Sequence, residues 1–136
     1  MTLELKNDLS ELAKLNHTLT EFGQRHQLPD RVLFAIKLAL EETVTNAISH
    51  NFTDEREHRI SIRLSLEQSV LRADVEDDGR AFNPLDIPAP DPKKPLEERP
   101  LGGLGIHLAR TLMDEVAYRR QNGRNMLTLK KEIAEL

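Results

Sequence analysis

Apolar residues recur along the chain at two different periods, and the changes between them mark out the elements. Thr2 to Lys6 alternates, with Leu3 and Leu5 on one side, which predicts a short edge strand. Leu9, Leu12, Leu15, Leu19 and Phe22 then follow every three or four residues, the spacing of one helical face. Asp8 suits the cap of that helix, with Glu11 three residues on as capping-box partner, and the helix should end near Gly23 to His26. After Pro29 a second helix is expected over roughly Asp30 to His50, with Leu33, Ile36, Leu40, Val44 and Ala47 as its apolar stripe. Asn51 to Glu57 is polar and reads as a loop. Beyond it the period falls to two. Ile60, Ile62, Leu64 and Leu66 alternate with polar residues, and Leu71, Ala73 and Val75 do the same after a tight connection at Glu67 to Ser69. These two runs predict an antiparallel hairpin with one face on a core.

No apolar period survives from Arg80 to Leu101, which holds six of the seven prolines. Prolines keep a chain extended, and a loop this long inside a small domain is usually functional or disordered. It reads as a lid at about residues 80–101. Gly102, Gly103, Leu104 and Gly105 then open a helix carrying Ile106, Leu108, Ala109, Leu112 and Met113. Two strands, Val116 to Gln121 and Arg124 to Lys131, are joined at Asn122-Gly123, a strong hairpin signal. The predicted class is α+β. A single domain over 1–136 should form a two-layer α/β sandwich, with a mixed, mostly antiparallel sheet covered on one face by helices.

Composition narrows the class of function. With 136 residues, 38% hydrophobic and 31% charged, the chain is long enough for one real core and is not a disordered sequence. Aromatics are only 4%, so aliphatic side chains must fill that core. A net charge of -4 argues against direct nucleic-acid binding, which draws on a basic surface. The absence of cysteine excludes disulfides and thiolate metal sites. No apolar run approaches membrane-spanning length and the first eight residues lack the apolar core of a signal peptide, so a cytoplasmic protein without membrane contact is expected.

Three stretches carry candidate chemistry. Glu42, Asn46 and His50 are spaced by four and stack on one face of the second helix. A carboxylate one turn before a carboxamide can accept a proton and hold a hard cation. Asp77 continues the register of Leu71, Ala73 and Val75, so either the strand has ended by then or an inward carboxylate has a hydrogen-bonding partner. The glycine cluster at Gly102 to Gly105 leaves backbone N–H groups bare at the positive end of a helix dipole, a place for phosphate.

Taken in order, Glu41-Glu42-Thr43-Val44-Thr45-Asn46-Ala47-Ile48-Ser49-His50, Asp77-Asp78-Gly79-Arg80-Ala81-Phe82 and Gly102-Gly103-Leu104-Gly105-Ile106 resemble the N box and the two glycine boxes of the GHKL (Bergerat-fold) ATPases. The closer resemblance is to the anti-sigma factor serine kinases of the RsbW/SpoIIAB type. Asp114, Tyr118, Asn122-Gly123 and Leu127-Thr128-Leu129 also match the closing hairpin of that family, so the likeness covers nearly the whole chain.

The resemblance implies roles residue by residue. Asn46 matches the ligand of Mg²⁺, and Glu42 the general base that takes the proton of an attacking hydroxyl. Glu41 competes for the second role, but Glu42 shares a face with Asn46. Asp77 matches the acceptor of the adenine amino group, and Gly79 the position where the backbone nears the base. Gly103 and Gly105, with Gly102 and Leu104 around them, match the phosphate-binding turn. Arg99, or Lys93 or Lys94, is in position to reach the terminal phosphate. Thr128 sits where relatives often place a hydroxyl near adenine, and an ordinary strand threonine is the equal alternative. His50 reads as support for the helix end.

The function implied is an ATP- and Mg²⁺-dependent serine/threonine protein kinase, an anti-sigma regulatory factor. Its implied partners are a STAS-type anti-sigma factor antagonist, a sigma factor and a second copy of the chain in a homodimer. The alternative is a nucleotide-dependent partner-binding module of the same fold without phosphoryl transfer. The sequence shows neither the dimerisation helices of a sensor histidine kinase nor the transducer domain of gyrase-like relatives, so neither of those is expected.

Overall fold

In the computed structural model, which describes residues 1–86 and 103–133, the two periodicities resolve into one sheet with helices on one of its faces. The elements run β1 (Thr2–Lys6), α1 (Leu12–Arg25), α2 (Asp30–His50), β2 (Arg59–Glu67), β3 (Val70–Asp77), α3 (Gly103–Leu112), β4 (Glu115–Gln121) and β5 (Arg124–Glu132). The strand order is β1-β2-β3-β5-β4, so β1 is an edge strand as its short alternation predicts. All four pairings are antiparallel. The expected mixture therefore contracts to a fully antiparallel sheet. α1 and α2 lie between β1 and β2, and α3 lies between the β2–β3 and β4–β5 hairpins, and neither connection creates a parallel crossover.

Parity explains the two layers. Leu3, Leu5, Ile60, Ile62, Leu64, Leu71, Ala73, Val75, Leu127 and Leu129 are all buried and alternate with half-buried or exposed neighbours. Onto that face pack Leu15, Leu19 and Phe22 of α1, Val32, Ile36, Leu40 and Val44 of α2, and Ile106 and Ala109 of α3. Burying each large aliphatic side chain contributes about 1.5–3 kcal/mol, and with few aromatics these carry the core.

The turns follow their chemistry with one surprise. Asn122 and Gly123 have φ of 54° and 74°, the paired left-handed conformation that an Asn-Gly hairpin favours. Gln68 and Ser69 adopt the same conformation, φ 50° and 66°, without a glycine. At the N-terminus Asp8 accepts from Ser10 N and caps a 3₁₀ turn at Leu9–Glu11, so α1 proper begins only at Leu12. Glu11 accepts from the backbone of Lys6 instead of from its capping partner and ties the helix entry to β1.

The segment expected to be a lid lies outside the described residues from Ile87 onward. Arg99, Lys93, Lys94 and Gly102 fall there too. Of its beginning, Pro84–Asp86 forms a 3₁₀ turn in which Pro84 is buried.

Candidate functional site

The face of α2 turned toward α3 and the ends of β3 and β5 meet in a cleft lined by Asn46, Asn51, Asp77, Phe82, Tyr118 and Asn125, among others. β3 runs through Asp77 without a break and pairs it with Asn125 on β5. The apolar parity of β3 carries Asp77 inward, where it is 3% exposed. An unpartnered carboxylate there would be costly. It receives three donors: Gly79 N at 2.8 Å and Asn125 Nδ2 at 3.0 Å on Oδ1, and Asn51 Nδ2 at 2.8 Å on Oδ2. Of the two alternatives for Asp77, the structure holds the partnered one.

Asn125 is the hub of this corner. Its Nδ2 also donates to the Arg80 carbonyl, and its Oδ1 accepts from Tyr118 Oη at 2.6 Å, Arg120 at 3.1 Å and Phe82 N at 3.3 Å. Arg120 donates a second bond, at 2.7 Å, to the carbonyl of Gly79. Sequence reasoning passed over Asn125, although it alternates with Leu127 and Leu129 just as Asp77 alternates with Val75. A polar residue on an apolar face was the signal.

Asn51 was also passed over, and its signal is weaker, since it is one polar residue at the end of a helix. Its carbonyl accepts from Arg80 N at 2.8 Å. A Cβ built at Gly79 would come within 2.4 Å of that carbonyl oxygen, so glycine is required there by the approach of the α2 C-terminus. This packing reason stands beside the role that the family likeness gives Gly79. His50 supports the same junction. Its ring stacks on Phe82 with centroids 5.1 Å apart, and its carbonyl accepts from Arg80 Nε at 2.7 Å.

Asn46 and Glu42 occupy successive turns of α2, and Asn46 lines the cleft. Asn46 is 4% exposed, and its Nδ2 is buried with no hydrogen-bond partner among the described residues. Glu42 is half-buried while Glu41 is exposed. Burial pushes the Glu42 carboxyl above the usual carboxylate range, and the neighbouring Glu41 charge adds to the rise. A carboxylate held this way takes a proton more readily than a solvated one. Among the described residues no group of three His, Cys, Asp or Glu is placed to hold a metal ion.

Thr128 does not reach the cleft. Lying between Leu127 and Leu129, it points to the opposite face of the sheet, where its hydroxyl donates to Asp74 Oδ1 at 2.7 Å. The expectation that it sits near a bound base is corrected by the same alternation that buries its neighbours. Gly103, Leu104 and Gly105 form the first turn of α3.

Comparison with known proteins agrees with this fold. The family described as the histidine kinase-like ATPase domain matches residues 5–131. The serine/threonine-protein kinase BtrW of Bordetella bronchiseptica is 30% identical over 94% of this chain and 90% of that protein. The serine-protein kinase RsbW of Oceanobacillus iheyensis is 31% identical over 99% of this chain and 86% of that one. The RsbW of Bacillus subtilis is 32% identical over 65% of this chain, and the chain spans 58% of its length. The crystal structure of the RsbU and RsbW domains of a Mycobacterium tuberculosis protein superposes with a TM-score of 0.69 at 16% identity. That match covers all of this chain and 33% of that one, and it is a likeness of fold. No helix among the described residues is long and apolar enough to cross a membrane.

Proposed function

The chain belongs to the histidine kinase-like ATPase domains, in the serine/threonine-kinase branch of RsbW and BtrW, and from that membership we propose how its own residues bind ATP and move its phosphoryl group. The observation that carries the reading is the Asp77 corner. A buried carboxylate saturated with donors on one oxygen keeps acceptor capacity on the other, facing a cleft that Asn46 also lines. Oδ2 of Asp77 then accepts a hydrogen bond from the adenine amino group. The first turn of α3 turns its N–H groups to the phosphates, with Gly102 and Arg99 assisting.

The cleft encloses about 20 Å³, room for a water and too little for a purine, so a nucleotide enters only when the lining parts. At the phosphate end Glu42 accepts the proton of a serine or threonine hydroxyl. The hydroxyl oxygen bonds to the γ-phosphorus as the bond to the β,γ-bridging oxygen breaks, and ADP leaves with that electron pair. Mg²⁺, when bound, neutralises charge on the phosphate oxygens. Asn46 Oδ1 is the protein's oxygen ligand, and an amide with an unpartnered buried NH₂ fits a residue whose neighbours arrive with the substrate.

The protein substrate is an anti-sigma factor antagonist of the STAS type. The chain acts as a homodimer in the cytoplasm, holding a sigma factor when the antagonist is phosphorylated. The test is to incubate the protein with γ-labelled ATP, Mg²⁺ and the antagonist-like proteins of its genome. Label on a serine or threonine of one antagonist is expected. Tight ATP binding with no label on any antagonist would leave a nucleotide-dependent binding module in place of a kinase.

A further inference from the structure

We propose that Asn51 is a specificity-determining residue for the purine, reading the 6-amino group together with Asp77. This rests on the ATP-site reading above and adds a second acceptor to it. Asn51 ends α2, is 5% exposed, and lines the same cleft as Asp77. Its Nδ2 donates to Asp77 Oδ2 at 2.8 Å, while its Oδ1 is buried with no hydrogen-bond partner among the described residues. The sense of the amide is fixed by chemistry. A carboxylate only accepts, so the NH₂ side must face Asp77 and the carbonyl side must face away. Rotating the amide would set oxygen against oxygen.

The wall beside Asp77 therefore offers two neighbouring acceptors. Asp77 Oδ1 already takes two bonds and Oδ2 takes one, which leaves a lone pair on Oδ2 and both lone pairs of Asn51 Oδ1. An unmade bond at a buried acceptor is costly, so this pair favours a guest with two protons on one atom. The space beside it fits one water, and water is such a guest. The exocyclic amine of adenine is another, and it replaces a water bond for bond. The 6-oxo oxygen of hypoxanthine or guanine brings no proton and meets two acceptors. A site built to hydrogen-bond an N–H rejects the analogue lacking it more strongly than an apolar pocket rejects an extra methyl. Glycine at position 79 and the bond from Arg80 N to the Asn51 carbonyl hold this wall in place, so the two acceptors are positioned before the base arrives.

The experiment is calorimetric titration of the full chain with the Mg²⁺ complexes of ADP and inosine diphosphate, which differ in the 6-substituent and in the proton that the 6-oxo base carries on N1. Wild type and Asn51→Ala are compared, with nucleotide-free melting curves to show that both fold. The expected result is that Asn51→Ala lowers ADP affinity by about tenfold and leaves inosine diphosphate unchanged or tighter, so the ratio collapses. A ratio equal to that of wild type overturns the role of Asn51 and leaves the ATP reading standing. Failure of wild type to bind either nucleotide overturns the ATP reading itself. A second arm needs no variant: N6-methyl-ADP has lost one of its two protons and should bind wild type about tenfold more weakly than ADP. Equal affinity there overturns the inference even if Asn51→Ala does not fold.

Discussion

Asp74 and Asp77 lie three residues apart on one strand, each opposite a polar residue of β5, and the sheet separates them completely. Asp74 is on the open face, accepting from Thr128 and from the exposed Arg72 at 3.1 Å. Asp77 is on the helix face, walled in by Asn51, Asn125 and the Gly79 amide. The open face carries further charge pairs of the same sort, Arg124 with Glu76 and Lys130 with Glu115. Ion pairs in water contribute little, and a face of alternating signs stays solvated. On the other face a single carboxylate shapes its whole surroundings, because nothing there but protein groups and a bound guest can satisfy it. Parity along a strand therefore separates a structural surface from a candidate site.

The largest effect on that contrast is expected at Glu42, one helical turn before the cleft residue Asn46. Glu42→Ala should lower phosphoryl transfer to the antagonist by about 10²-fold or more while leaving nucleotide affinity nearly unchanged. Because burial raises the carboxyl, wild-type transfer should fall on acidification at a higher pH than an ordinary glutamate would give. Normal transfer by Glu42→Ala would remove it as the base.

Next come the two aspartates. Asp77→Asn sets an amide against three donors and should weaken ATP binding by about 1–3 kcal/mol. Asp74→Asn changes a pair on the opposite face of the sheet and should leave ATP binding as it is. Calorimetry on both decides the matter, and equal losses would mean that sheet parity has nothing to do with the site. Smaller still is Thr128→Val. It removes one hydroxyl bond on the open face, should move stability by no more than about 0.5 kcal/mol, and should leave ATP affinity untouched. A clear loss of ATP affinity would restore Thr128 to the site.

Most of the fold was legible because its signals are repetitive. Leu71, Ala73 and Val75 announce a strand several times over, and Asn122-Gly123 specifies its turn by backbone chemistry. The site was legible only where it broke such a pattern. Asp77 broke it and was read; Asn125 broke it in the same way and was missed, because no family motif drew attention to it. Thr128 was misplaced because the motif was followed where the alternation of Leu127 and Leu129 pointed the other way. Asn51 could not have been found by pattern, since its importance lies in contacts with Asp77, Gly79 and Arg80, between 26 and 29 positions away. Packing that joins a helix end to a strand end leaves no period to read.

The smallest effect expected is a pH dependence of stability just outside the cleft, at His58. Its ring stacks on Phe52 with centroids 4.6 Å apart, and its two nitrogens face Asp54 Oδ1 at 2.6 Å and Asp78 Oδ1 at 3.1 Å. A neutral imidazole has one N–H to donate, so only the protonated ring satisfies both carboxylates. The Asp54 hydrogen bond, helped by Asp78, holds the histidine above its usual value, and the same bond holds Asp54 below its own. The folded state thus binds the His58 proton more tightly than the unfolded chain does. The stabilisation is full below the unfolded value, about 6.5, and is lost as pH rises through the raised folded value. Asp54 contributes in the opposite sense, with its share present above the usual carboxylate value and lost as pH falls through the lowered one. Between those limits the loop after α2 is tied to the turn after Asp77 by two charged bonds. Melting temperatures of wild type and His58→Ala, measured from pH 5 to 9, should differ most on the acidic side and converge toward the alkaline end. A difference that stays constant across the range would mean that His58 contributes by packing on Phe52 alone.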